Sequence, residues 1–172
     1  MGSNQRRHRR SVHQAIFLAV VLVAGYFLYQ TWIEARYESR RTVAQFVDAS
    51  GKILGEFSLE LALTPDQRAK GMMFKRRDEV RENEGMVFVF PADKAQRFWM
   101  KNTFLPLDML FIDSALRIVG IVHSAVPLSL DERGVEASSR YVVELLGGSA
   151  KKFGIDERAK VVFEPPLPVV SE

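Results

Sequence analysis

The chain of 172 residues is long enough for one domain of ordinary size with its own core, and it carries no cysteine, which excludes disulfides, thiolate metal ligands and cysteine nucleophiles. Its pI near 9.3 points to nucleic acid only until the charge is located. Residues 1–41 hold seven Arg against two Glu, a net +5, whereas residues 42–172 hold 17 Lys and Arg against 19 Asp and Glu, a net −2, so no nucleic-acid partner is expected.

Residues 1–14, with the basic run QRRHRRSVHQ, are too polar to fold and read as a cytoplasmic tail. Residues 15–33 (AIFLAVVLVAGYFLYQTWI) contain no charged side chain and, as a helix of roughly 28 Å, would cross the hydrocarbon core. Tyr26, Tyr29 and Trp32 crowd the far end of the run and Arg6, Arg7, Arg9 and Arg10 precede it. This is the pattern of an uncleaved signal anchor with its N-terminus in the cytoplasm and its domain on the periplasmic side of the inner membrane. A cleavable signal peptide would be shorter and end in small residues. Residues 34–41 (EARYESRR) form a charged linker.

From Thr42 the apolar period becomes two. TVAQFV and KILGEFSLELA flank the turn cluster Asp48-Ala-Ser-Gly51, which predicts a hairpin with Phe57, Leu59 and Leu61 on one face. Thr64 to Met73 carries the clearest helix signal: an N-cap Thr, Pro65, Asp66 in the first turn, Gln67 completing a capping box, and Gly71 as terminator. So short a helix must dock on the sheet, and Met72, Met73 and Phe74 are the expected docking face. Arg68, Lys70, Lys75, Arg76 and Arg77 surround it, either as a solvated rim or with one or two Arg clamping a carboxylate.

MVFVF (86–90) reads as a buried strand closed by Pro91. Arg97 to Asp113 (RFWMKNTFLPLDMLFID) reads as a pair of central strands around a loop shaped by Pro106, apolar on both faces. Lys101 and Asp108 are then out of place and must be paired, solvated or functional. DSAL makes a turn, RIVGIVHS a strand, Pro127 to Ser139 a polar loop, and YVVELL a strand carrying Glu144. A short helix SAKKFG, a final strand AKVVFE and a Pro-rich tail (165–172) complete the chain. His123 has no partner of metal-ligating type, so neither metal nor cofactor is expected. Gly147-Gly148-Ser149 lacks the context of a phosphate loop.

Four blocks in order, LALTPDQRAKGMMFKR, EGMVFVF, FWMKNTFLPLDMLFID and YVVELLGGSAKKFGI, resemble the prokaryotic family known as domain of unknown function 192, over about residues 57–163. The matching positions are Arg68, Gly71, Met72, Met73 and Arg76, then Gly85, Met86, Trp99, Met100, Asn102, Thr103, Pro106, Leu107 and Asp108, and finally Pro127, Glu144 and Gly148. The resemblance implies a compact strand-dominated domain, similar to a jelly-roll-like sandwich and often secreted or membrane-anchored, without an established reaction. Two departures stand out: Asp156-Glu-Arg-Ala replaces the family's Gly-Asp turn, and Gly147-Gly148 replaces Ala-Gly.

The expected architecture is therefore mainly β: one antiparallel β-sandwich or jelly-roll-like domain (42–164) with one or two short helices, behind an N-terminal transmembrane helix. The first functional reading is an envelope module without intrinsic catalysis, binding a small ligand where Arg68, Arg76, Trp99, Lys101, Asn102, Asp108 and Glu144 converge. A second is an envelope hydrolase with Asp108 and Glu144 as acid and base. A third is a structural domain for another envelope protein, in which Arg76 pairs with Asp108 or Glu144.

Overall fold

The computed structural model describes residues 19–29 and 41–171, in two units, Met1–Arg40 and Arg41–Glu172. In the first unit residues 19–29 are helical (α1) and fall inside the run expected to span a bilayer. The rest of that run, the tail before it and the linker to Arg40 lie outside the described residues. Among the described residues no helix is long and apolar enough to cross a membrane.

The second unit is mainly β. Strands β1 (Arg41–Val47) and β2 (Ile53–Ala62) form the expected hairpin, its turn closed by the Asp48 side chain on the N–H groups of Ser50 and Lys52 and by Gly51 at φ 87°. Helix α2 (Pro65–Lys70) is capped by Thr64 and Gln67 in a reciprocal capping box and ends at Gly71. A single 3₁₀ turn, Arg77–Glu79, leads into β3 (Glu84–Lys94). Two-residue strands β4 (Arg97–Phe98) and β7 (Arg133–Gly134) pair with each other. The remaining elements are β5 (Leu107–Ile112), β6 (Ile118–Ala125), β8 (Ser139–Leu146), helix α3 (Ser149–Phe153) and β9 (Lys160–Glu164).

The main sheet corrects the expected antiparallel sandwich. It has seven strands in the order β6-β5-β8-β3-β2-β1-β9, and β2 and β3 run parallel. The reason lies in the connection: residues 63–83, with α2 and the 3₁₀ turn, are long enough to carry the chain back to the end where β2 began, which a parallel pair requires. The sheet curls until its two edges touch, Arg117 bridging to Lys160 and the Val161 N–H donating to the Leu116 carbonyl.

Curling gives the domain two apolar clusters on opposite faces of the sheet. One takes residues from all seven strands, among them Phe46, Phe57, Val87, Leu110, Ile118, Val143 and Phe163, with Ala150, Ile155 and Ala159 closing it. The other lies on the outer face of β3, β5 and β8, where Phe88, Met109, Phe111 and Val142 are covered by Met72, Val80, Met100 and Leu105. Strand β5, all six residues buried, is thus the doubly covered strand its sequence predicts.

Three local expectations need correction. The expected strand over 98–103 is two residues long and does not pair with β5: Met100 to Thr103 is a turn, closed by the Thr103 N–H on the Met100 carbonyl with Asn102 at φ 54°. Apolar alternation misled there because Met100 is buried by packing onto the outer face of the sheet from a turn, not by belonging to a strand. Strand β3 runs through Pro91 to Lys94; its register with β8 slips between Val89 and Lys94, so Pro91 sits where no ladder donor is required. Phe74, expected to dock the helix, is 58% exposed, while Met72 alone is fully buried.

Candidate functional site

Residues opposite each other on neighbouring strands project from the same face. Glu144 of β8 stands opposite Met109 of β5 and Met86 of β3, both in the outer cluster. Asp108 stands opposite Leu145, which belongs to the cluster enclosed by the curled sheet. The two carboxyls therefore lie on opposite faces of the sheet, so they cannot act as the acid and base of one hydrolytic site.

Asp108, fully buried, is taken up by main chain. Its Oδ1 accepts from the N–H groups of Ser124 (2.8 Å) and Gly148 (3.0 Å), and its Oδ2 from Ala150 (2.8 Å). It ties β6, β5 and the first turn of α3 into one corner. Within the Gly-Gly-Ser segment the Gly148 amide is thereby occupied by the protein's own carboxylate, while the Gly147 amide donates to the Pro106 carbonyl (2.7 Å).

Glu144 has the opposite circumstances. It is 4% exposed, its carboxyl accepts from the Met72 N–H, and Oε2 is buried without a hydrogen-bond partner. Burial pushes its pKa up to about 8, only partly offset by the Met72 N–H. The side chain is therefore mostly protonated at neutral pH and presents a neutral O–H.

Glu144 borders a cavity of about 200 Å³. The apolar wall is Met72, Met73, Phe88, Phe90, Phe98 and Trp99. Arg68, Lys70, Arg97 and Thr103 supply the remaining polar groups. Gly71, at φ 48° and ψ −136°, keeps the space above the carboxyl open: a Cβ there would lie 3.1 Å from the Phe88 ring and 3.7 Å from Glu144 Oε2. Residue 71 must therefore be glycine for its conformation, and a side chain would also crowd the cavity.

Helix α2 supplies Arg68, whose Nη1 donates to the carbonyls of Leu63 and Val89 and whose guanidinium lies 5.3 Å from the Phe90 ring centroid. Arg97 donates to the Val135 carbonyl (2.6 Å) and the Glu136 carboxylate (2.7 Å). Both are held in position by protein groups and still border the cavity. Trp99, half exposed, also borders it, and Lys101 lies 5.3 Å over its ring. Two wider hollows, of about 600 Å³ beside His123 and Lys151 and about 800 Å³ beside Arg68 and Val169, are lined, among the described residues, by no buried side-chain polar atom that lacks a partner.

Of the seven residues expected to converge, three border this cavity: Arg68, Trp99 and Glu144. Lys101 adjoins through Trp99. Asn102 holds the turn, its carbonyl accepting from the Phe74 N–H (2.8 Å). Asp108 lies across the sheet. Arg76 is exposed, outside the cavity, and pairs with neither Asp108 nor Glu144, since backbone amides fill the first and the second faces the cavity.

Among the lining residues that sequence reasoning missed are Gly71, Phe88, Phe90, Arg97, Phe98 and Thr103. Alternation of Met86, Phe88 and Phe90 puts the two Phe on one face of β3, a legible signal; that this face meets Glu144 depends on the β3–β8 register, which is not.

The family model DUF192, described as "Uncharacterized ACR", matches residues 46–163. No curated protein matches the sequence. Two solved structures are similar. A crystal structure from Sinorhizobium meliloti 1021, described as a "putative transcription regulator", is 34% identical, with a match covering 73% of this chain and 95% of that one at a TM-score of 0.69. A protein of unknown function from Novosphingobium aromaticivorans DSM 12444 is also 34% identical, covering 70% of this chain and 83% of that one at a TM-score of 0.64. The Sinorhizobium chain consists almost entirely of the matched fold.

Proposed function

The chain belongs to the uncharacterised DUF192 family, and from that premise we propose that it is a membrane-anchored envelope module that binds a small ligand in the Glu144 cavity, without catalysis of its own. The observation that carries the reading is that Glu144, whose Oε2 is buried and without a partner, lines an open cavity. Proteins rarely leave such a group unsatisfied without a functional reason. A concave, mostly apolar space with a few converging polar groups is also the usual form of a small-molecule site. Membrane anchoring with the domain on the periplasmic side rests on the uncharged run 15–33 and the arginines before it. The regulator description of the Sinorhizobium protein is not carried over, because residues 42–172 have a net charge of −2, against the basic surface that phosphate recognition needs.

A thermal-shift screen of small metabolites against residues 41–172, repeated on Glu144→Leu, tests the binding reading. Ligands that raise the Tm of the wild type and not of the variant are expected; a library that shifts neither would overturn it. Protease accessibility of the domain in spheroplasts tests the orientation, with cleavage from the outside expected.

A second reading has one specific observation in its favour. Phe74, Phe104, Val126, Leu128 and Leu130 are all about half exposed or more, on loops joined by hydrogen bonds from Phe74 to Asn102, Met100 to Ser129 and Leu128 to Thr103. Such a patch suits an envelope protein partner. Crosslinking in cells from residue 74, with and without Phe104→Ser, would reveal a specific adduct if it is used.

A further inference from the structure

The chemistry around the cavity restricts what can occupy it. Glu144 offers an O–H with its Oε2 unpartnered by protein, and the other ionisable groups lining the space, Arg68 and Lys70 from α2 and Arg97 from β4, are all basic. Among the described residues no second acid borders it. Every polar side chain there other than the Thr103 hydroxyl is thus a donor or a cation, a set that suits an acceptor carrying negative charge. The rest of the wall is thioether and aromatic carbon from Met72, Met73, Phe88, Phe98 and Trp99, which suits a compact apolar body.

A bound cation would meet Arg68, Lys70 and Arg97 and would require Glu144 to ionise in an apolar setting. A neutral apolar molecule would leave Oε2 as unsatisfied as before. A carboxylate meets both demands, because one of its oxygens can accept the Glu144 proton, giving a shared carboxyl–carboxylate hydrogen bond of the charge-assisted kind.

We propose that the ligand of this site is a small monocarboxylate with an apolar or aromatic body, its carboxylate accepting the Glu144 proton and facing Arg68 and Arg97. This rests on the binding reading above and specifies its ligand class. No covalent step is involved. Binding requires the protonated form of Glu144, so that above the range where the free site holds its proton each bound carboxylate must take one up from solution. Affinity then falls tenfold per pH unit. Burial, which raises the Glu144 pKa to about 8, sets where that fall begins.

Benzoate and benzyltrimethylammonium are matched probes, similar in body and opposite in charge. Titration calorimetry on residues 41–172 between pH 6 and 10 is expected to give benzoate binding that is level below about pH 8 and weakens tenfold per unit above it. Glu144→Gln keeps a donor and should bind benzoate without that slope, whereas Glu144→Leu should not bind it at all. Benzyltrimethylammonium should not bind at any pH. Preferential binding of the cation, strengthening as pH rises, would overturn the ligand class while leaving a binding site in place. So would benzoate binding whose pH profile is the same in wild type and Glu144→Gln. Failure of both probes, with the thermal-shift screen also blank, would overturn the binding reading itself; failure of both with a screen that yields only non-carboxylates would overturn the class alone.

Discussion

Replacing Glu144 by Gln should make the domain more stable at neutral pH, an unusual result for a buried polar position. The carboxyl titrates near 4.5 in an unperturbed chain and at about 8 in the fold. Below the lower value it is protonated folded and unfolded, and its ionisation costs nothing. As pH rises, the unfolded chain releases the proton and the folded chain keeps it, so stability present in acid is lost progressively until the folded group also ionises. At about 1.36 kcal/mol per pKa unit, the loss is about 3 kcal/mol at pH 7 and approaches about 5 kcal/mol above pH 8. Gln cannot ionise, and its amide can keep the contact with the Met72 N–H. One extra N–H without a partner returns about 1 to 2 kcal/mol of the gain. The net expectation at pH 7 is about 1 to 2 kcal/mol in favour of the variant, or a Tm higher by roughly 3 to 10 °C for a domain of this size. The decisive assay is the difference in Tm between variant and wild type, by calorimetry, at steps from pH 4.5 to 8.5. Taking the difference cancels every other titrating group. It should rise steadily with pH; a difference that stays flat would refute the protonated, apolar environment assigned to Glu144.

Two further substitutions probe the frame of the site. Asp108→Asn turns one of two acceptor oxygens, which together serve three N–H groups, into a donor facing a donor, and should lower urea stability by about 2 to 4 kcal/mol. This is opposite in sign to Glu144→Gln, though both replace a buried acid by its amide. Gly85→Ala would put a Cβ 2.3 Å from the Glu144 carbonyl and 2.9 Å from the Leu145 side chain, between strands that cannot part without losing their ladder. It should cost more than about 3 kcal/mol, read as loss of soluble expression or a collapsed Tm.

How far the sequence could be read follows the range of the interaction involved. The capping box of Thr64 and Gln67, the Asp48-to-Gly51 turn and the doubly apolar β5 are decided within ten residues or fewer, and they were legible. The parallel pairing of β2 with β3 was not, because nothing in either strand states which neighbour it will meet. The same limit hid the relation between Asp108 and Glu144. Parity along one strand fixes which residues share its face, but which face of β8 goes with which face of β5 is a matter of register. Two acids that look equivalent in sequence thus serve opposite purposes, one a fully satisfied structural anchor and the other partly unsatisfied. The 98–103 stretch misled for a related reason: its alternation is real, but Met100 reaches the outer face of the sheet from a turn rather than from a paired strand.

The neighbours of β1 have a consequence for how the chain is made. The first strand of the domain is hydrogen-bonded to its last, Val43 to Val47 facing Lys160 to Glu164. The cluster inside the curl needs Val161 and Phe163 to close. During synthesis β1 can pair early with β2, yet one of its sides waits until the C-terminal strand emerges, and contacts so distant in sequence form slowly. Until then the chain carries an open edge that any extended segment could occupy, so the domain's most aggregation-prone interval is the time between making its first strand and making its last.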